Sequence, residues 1–499
     1  MEEEKRMLID VDGFPAKKRQ AIGLAIQHVL AMFVACITVP LLVFSVSPFV
    51  DAAGNALPYL AANGEPILNY LIAPTLVSAG VGTIFYLVMT RMKSPMFLAS
   101  SFAYIAPMAS GISLGADAHP VLNGEGVQIG VLPNLWILPI GMAMVGAVYC
   151  IIALLIKLLG VAWLNKLLPP IVVGPVIMVI GLSLAGSAIS NLTTASGSGE
   201  SYNLIAILCG VIAMLVTALS AHYGKGPFTL IPFIIGMGAG YVAAALFTAI
   251  GYYGCGSDYF HIVNFAPIAN NFSPIRLESF LDYPRFLFLL GDSSVPLSWT
   301  YIGHTALLFV PVSLVTICEH IGDHENMSGI LDRNLLEDPG LSRTLIGDGV
   351  ATAISGALCG AANTTYGENV AVVGVTRVAS TKVIGMAAIM AIILGFISPL
   401  MAVTMTIPAC ITGGISLVLY GFIAASGVKL LIARKVDMSQ TRNIFITSAI
   451  LVVGIGGLTL AFAMGSREIK ITSTAASMIF GVIMNAILKE KQPVAPTVE

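Results

Sequence analysis

Stretches of about twenty mostly apolar residues follow one another along almost the whole chain. A run of that length is what a helix needs to cross the hydrocarbon core of a bilayer. Twelve stand out, near 21–45, 71–90, 133–158, 171–190, 203–222, 228–252, 303–322, 343–360, 383–406, 409–430, 443–464 and 471–488. Of the 499 residues 57% are hydrophobic and only 10% charged, against about 25% charged in a soluble domain. A soluble globule of this composition has too little polar surface to cover itself, and a disordered chain needs the opposite balance. A membrane β-barrel would alternate apolar and polar residues in segments of about ten, whereas these runs are continuous. With a net charge of −2 and only a short basic cluster near the N-terminus, nucleic acid is not an expected partner. What remains is an all-α integral membrane protein embedded in a lipid bilayer.

The seven cysteines form no framework. Cys36, Cys150, Cys209, Cys318, Cys359 and Cys410 fall within apolar runs and only Cys255 in a loop, with no CxxC or zinc spacing. They read as small buried hydrophobes. About twenty polar residues precede the first run, which is too long for a signal core and lacks a small-residue cleavage site, so no cleaved leader is expected.

Two further stretches are apolar but short and interrupted: SPMFLASSFAYIAPMAS at Ser94–Ser110 and NTTYGENVAVVGVT at Asn363–Thr376. If both cross, the count is fourteen. With a cytoplasmic N-terminus, 20 of the 24 Lys and Arg then fall inside, and only Arg276, Arg285, Arg467 and Lys470 fall outside. That asymmetry follows the positive-inside rule, and dropping the short segments scatters it. The expected organisation is a cytoplasmic tail over 1–20, a first repeat over 21–252, an extracytoplasmic loop over 253–302, a second repeat over 303–488 and a cytoplasmic tail over 489–499. Seven spans per repeat require the repeats to be inverted. The short segments stand third in each half, and a matched pair of interrupted spans is the best sequence pointer to a transport site. Non-helical backbone at membrane depth is tolerated only where it is buried in protein or lines a cavity.

Three carboxylates lie at such depth, where a charge costs at least about 2.5–3.5 kcal/mol. Glu319 lies near the end of the run VSLVTICEHIG, Asp323 follows one helical turn later on the same face, and Glu368 sits in TTYGEN. Glu319, His320, Asp323 and His324 do not make a metal site, because consecutive residues point about 100° apart on a helix and no H-E-x-x-H is present. Nor is there a nucleophile–base motif, a nucleotide loop or substantial soluble mass, so an enzyme is not expected and no cofactor is implied. Glutamates accept from ring N–H groups, backbone N–H groups at Phe102 and Gly367 can donate to ring carbonyls, and Tyr366 can stack. That set suits a small planar neutral ligand with N–H donors and C=O acceptors, such as a nucleobase like uracil. A simple anion would meet Glu368 with like charge.

Gln27-His28, SSFAYI at Ser100–Ile105, Glu319-His320 with Asp323, GLSR at Gly340–Arg343, GDG at Gly347–Gly349 and above all NTTYGEN at Asn363–Asn369 resemble the nucleobase–ascorbate transporter family, also called the second nucleobase–cation symporter family. The resemblance covers nearly the whole chain and is strongest to uracil carriers. It implies fourteen transmembrane segments in two inverted seven-span repeats. Spans 1–4 and 8–11 would form a core domain, spans 5–7 and 12–14 a gate domain, and short strands would replace the broken centres of spans 3 and 10. It also implies a cell-membrane symporter that takes up uracil or a related nucleobase with a proton or a sodium ion, often as a homodimer. Glu319 and Glu368 match the family's substrate glutamates, Phe102 and Gly367 its backbone donors, and Ala35, Tyr366 and Tyr420 its pocket wall. Proton coupling is expected from Glu319, Asp323, Glu368 and His28. Two positions depart from the pattern. Ala371 replaces the signature glycine, although Thr376 and Arg377 keep their places, and Asp323 stands where a uracil carrier can have histidine and a purine carrier aspartate.

Overall fold

A computed structural model describes residues 7–44, 49, 57–225, 228, 231–464 and 467–488. The expected tail 489–499 lies outside the described residues. Among them, eight helices are long and apolar enough to cross a membrane: Lys18–Phe44, Tyr70–Met89, Ile137–Leu159, Pro170–Thr193, Leu204–Tyr223, Pro232–Gly254, Trp299–Leu331 and Ala409–Ala433. Thr381–Leu394, Thr441–Ile455 and Ser473–Ile487 are apolar but shorter. Three expected runs are not single helices. The 171–190 run turns at Leu184, between Pro170–Ser183 and Ala185–Thr193. The 383–406 run breaks between Thr381–Leu394 and Ser398–Met405. The 443–464 run stops at Ile455 and continues into a hairpin pairing Leu460–Met464 with Arg467–Ile471. The helix expected over 303–322 instead runs 33 residues, from Trp299 to Leu331, so Asp323 and His324 stand two turns inside it rather than at its end.

The chain divides into two compact units, one of residues 1–158 and 185–418, the other of 159–184 and 419–499. In the second, the helices Pro170–Ser183, Thr441–Ile455 and Ser473–Ile487 pack on one another, with Gly454 so close to Val179 that a Cβ would come within 2.3 Å of its Cγ1.

In the first unit the two interrupted segments meet as strands. Leu98–Ser100 pairs antiparallel with Asn363–Thr365, in the register Leu98 to Thr365, Ala99 to Thr364 and Ser100 to Asn363. All six residues are buried. A two-stranded ribbon leaves outer edges unpaired, and unpaired backbone is costly without water. Threonines from the neighbouring helices cover those edges. Thr83 Oγ1 accepts from the Leu98 N–H at 2.9 Å and lies 3.3 Å from its carbonyl. On the other strand Thr352 Oγ1 donates to the Asn363 carbonyl at 2.6 Å. The two broken spans are thus handled alike, each by a threonine of the helix before it. Each strand leads into a short helix, Ile105–Ile112 after the 3-10 turn Phe102–Tyr104 in the first case and Gly367–Thr376 in the second.

Small residues let the helices close around this ribbon. Gly80, on the Leu68–Met89 helix, faces Thr381–Leu394, and a Cβ there would lie 2.4 Å from the Ala388 carbonyl and 2.6 Å from Ile392 Cγ1. Because a backbone atom blocks the space, the helices must separate to admit a side chain. Gly80→Ala is expected to destabilise the protein by about 1–3 kcal/mol, read as a lower melting temperature of the purified protein. An unchanged melting temperature would contradict the close approach.

From Leu8 on, the polar N-terminal stretch packs against the segment that follows the second broken span. Ile9 bridges Val378, the Ala379 N–H donates to the Ile9 carbonyl and the Thr381 N–H to the Val11 carbonyl. Val11 is buried in a cluster with Leu98, Val370 and Val373, and Asp10 pairs with Arg333. The loop over 253–302 also packs down: the Val295 N–H donates to the Pro133 carbonyl and the Leu135 N–H to Ser294 Oγ.

Candidate substrate-binding site

The long helix Trp299–Leu331 packs against the Phe102–Tyr104 turn, the strand Asn363–Thr365 and the short helix Gly367–Thr376. Thr316, Glu319 and Asp323 follow one another along one face of it, and Glu319 and Asp323 are one turn apart. Glu368 lies in the first turn of the short helix, at the positive end of its dipole. The Tyr366 hydroxyl and the Glu368 backbone N–H both reach the Glu368 carboxylate. Glu319 is within electrostatic range of Glu368 and Asp348, and Asp323 of Glu319, Glu368 and Asp348. Glu319 and Gly367 are exposed and Glu368 is half-buried. The N–H groups of Phe102 and Gly367 open short helices, where no preceding helical carbonyl can receive them. Ala35, Ala99 and Tyr366 share an apolar cluster against which Phe102 packs.

The remaining expected residues divide. Asp323 accepts a hydrogen bond from Thr365 Oγ1 at 2.7 Å, which ties the long helix to the second strand. His28 is buried, and Asn369 Nδ2 lies 3.0 Å from its Nδ1 and 3.1 Å from its carbonyl oxygen. Asn369 thus fastens the short helix to the first one. Tyr420 lies in the second compact unit, 2% exposed.

A fourth carboxylate at depth is not among the expected site residues, although it lies in the GDG motif. Asp348, in the GDG of the Leu341–Ala357 helix, is fully buried, with Oδ2 2.7 Å from His320 Nδ1. His320 Nε2 faces Thr344 Oγ1 at 3.0 Å, and Tyr149 meets the ring edge-on at 6.3 Å between centroids. His320 therefore turns away from the ligand side. His324 stacks on it at 4.1 Å, with Nδ1 2.7 Å from the His320 carbonyl. A carbonyl only accepts, so Nδ1 carries the proton and Nε2 accepts from the Tyr86 hydroxyl at 2.6 Å. Both imidazoles are taken up by internal partners. Among the described residues no group of three or more His, Cys, Asp or Glu is arranged to hold a metal ion. The signal for Asp348 was the one that found the others, a charge inside an apolar run.

Two broken spans that meet as paired strands beside three carboxylates, within a bundle of apolar helices, are what is expected of a multi-pass membrane transporter. The permease family model matches residues 19–462, and the chain belongs to that family. It is 36% identical to the uracil permease of Bacillus caldolyticus over 469 residues, covering 94% of this chain and 92% of the relative. It is 34% identical to the uracil permease of Escherichia coli K12 over 472 residues, covering 94% and 91%. Among solved structures it resembles the murine solute carrier 26 member A9 anion transporter in its inward-facing state, with a TM-score of 0.58 at 11% identity over 95% of this chain and 68% of the other. It also resembles the transmembrane domain of the cyanobacterial bicarbonate transporter BicA, with a TM-score of 0.53 at 13% identity over 92% and 97%. The last two likenesses concern the fold alone. Family membership makes the protein a carrier rather than an enzyme.

Proposed function

We propose that the protein imports uracil by proton symport. The observation that carries this reading is that Glu319 from one helix and Glu368 from the opening turn of another lie within electrostatic range of each other, beside the opening turns of the two short helices that follow the strands. A pyrimidinedione offers ring N–H groups to the two glutamates and carbonyls to the N–H groups of Phe102 and Gly367. Tyr366 and Ala35 supply the apolar wall, and Tyr420 enters through the family resemblance. A proton on either glutamate relieves their mutual repulsion, so proton and substrate occupancy together favour the movement that delivers both. Asp323 and His28 hold the strand and short helix around the site and complete the proton route. The uracil permeases among the relatives support the substrate.

In this reading fourteen spans form two inverted repeats, over 21–252 and 303–488, joined outside the cell membrane by 253–302. The tails 1–20 and 489–499 are cytoplasmic, and a core of spans 1–4 and 8–11 rocks against a gate of spans 5–7 and 12–14. The carrier works as a homodimer. The solved relatives are named for anions, and the carboxylate at 368 disfavours an anion here. A purine such as xanthine is the second reading, favoured by the aspartate at 323.

Uptake of labelled uracil should collapse with a protonophore and persist without sodium. The reverse pattern would make the protein a sodium symporter. Unlabelled uracil should compete with the label better than xanthine or uric acid does, and stronger competition by xanthine would select the purine reading.

A further inference from the structure

Glu319 is framed on its helix by two polar ties, one to each broken span. Four residues later, Asp323 is tied to Thr365 of the second strand. Three residues earlier, Thr316 is tied to Tyr104, whose hydroxyl lies 3.0 Å from Thr316 Oγ1. The Thr316 hydroxyl also lies 3.1 Å from the Ser313 carbonyl and 3.4 Å from the Val312 carbonyl of its own helix, and the Tyr149 hydroxyl is a further partner. With the Thr316 hydrogen on a carbonyl of its own helix, Tyr104 donates and Thr316 accepts. Both are buried, Tyr104 at 1% exposure and Thr316 at none, so water does not compete for the bond.

The Tyr104 ring is also held from its other side. It stacks on Phe309 with centroids 5.9 Å apart and planes 20° apart. Phe309 in turn lies so close to Gly141 that a Cβ there would sit 2.8 Å from its ring. Tyr104 stands two residues after Phe102, in the same 3-10 turn. Whatever fixes Tyr104 against the long helix therefore fixes the Phe102 N–H relative to the Glu319 carboxylate. In the nucleobase reading those two groups hold the ligand, one donating and one accepting.

We propose that Tyr104, through Thr316, is a positioning residue that sets the width of the site and so favours a single-ring base over a bicyclic one. This inference rests on the nucleobase reading given above. Phenylalanine fills the same volume, so the hydroxyl is there for the bond and not for packing. Without it the turn loses that directional bond to the helix and leans on apolar contacts such as the one with Phe309, which resist sliding far less.

The test is calorimetric titration of the purified full-length protein with uracil and with xanthine, for wild type, Tyr104→Phe, Thr316→Val and Thr316→Ser. Tyr104→Phe and Thr316→Val should each weaken uracil about tenfold, ~1.4 kcal/mol, and xanthine less, so that discrimination narrows. Thr316→Ser keeps the acceptor and should keep the wild-type ratio. In uptake, the same two variants should raise KM and leave the maximal rate. Two results would overturn the inference alone. One is wild-type discrimination in Tyr104→Phe and Thr316→Val. The other is equal weakening of both bases together with a lowered melting temperature. Wild-type protein that binds neither base would overturn the nucleobase reading, and this inference with it.

Discussion

Glu368→Gln is expected to abolish uptake of labelled uracil while the protein still reaches the membrane. The substitution keeps the side chain's size and removes its charge. An acceptor for a ring N–H becomes an amide whose NH2 can meet that N–H donor to donor. A hydrogen bond to a charged group contributes about 1.5–3 kcal/mol, and a carboxylate at a helix N-terminus another 0.3–1 kcal/mol or so. Their loss corresponds to affinity lower by roughly one to three orders of magnitude. The variant also loses a group able to carry the coupled proton, so raising the substrate concentration should not restore accumulation. Glu368→Asp keeps charge and proton-carrying ability at a shorter reach and should retain measurable uptake with a higher KM. The checks are initial uptake rates in cells without another uracil carrier, with membrane abundance measured in parallel. Wild-type uptake by Glu368→Gln would remove Glu368 from the site.

The second large effect concerns Asp348. Replacing it with leucine strands His320 Nδ1 in the interior and deprives Thr364 of an acceptor. Removing one partner of a buried ionisable pair costs about 3–5 kcal/mol, whereas replacing both with apolar residues is often close to neutral. Asp348→Leu alone should therefore lower the melting temperature of the purified protein sharply and reduce the amount that folds. Asp348→Leu combined with His320→Leu should recover most of that loss. If the double variant also recovers uptake, the pair is structural. If it is folded but inactive, the pair takes part in transport. A melting temperature unchanged in the single variant would contradict the 2.7 Å contact.

Much of the architecture was open to reading along the chain because a bilayer allows few solutions. Backbone that leaves the helix at depth must find internal partners, so two interrupted runs in corresponding places had to meet protein, and they meet each other as paired strands. The same reasoning picked out Glu319, Asp323 and Glu368. It missed Asp348, whose partner lies 28 residues away on another helix. It also misjudged lengths. Apolar run length reports membrane thickness, not helix length, so the Trp299–Leu331 helix runs on through the polar stretch after Glu319. The 383–406 run looked uniform in hydrophobicity, although its helix ends at Leu394 and a new one starts at Ser398.

The sequence alone determined that the chain lives in a bilayer, that two of its spans are broken, and that carboxylates stand near the breaks, because the cost of bare polar groups in hydrocarbon is local and can be read residue by residue. Only the tertiary structure decided what each of those groups touches: Thr365 for Asp323, His320 for Asp348, Thr316 for Tyr104. Those pairings join residues 28 to 212 positions apart, and hydrogen-bond geometry at such separations depends on how helices pack, which no local pattern encodes.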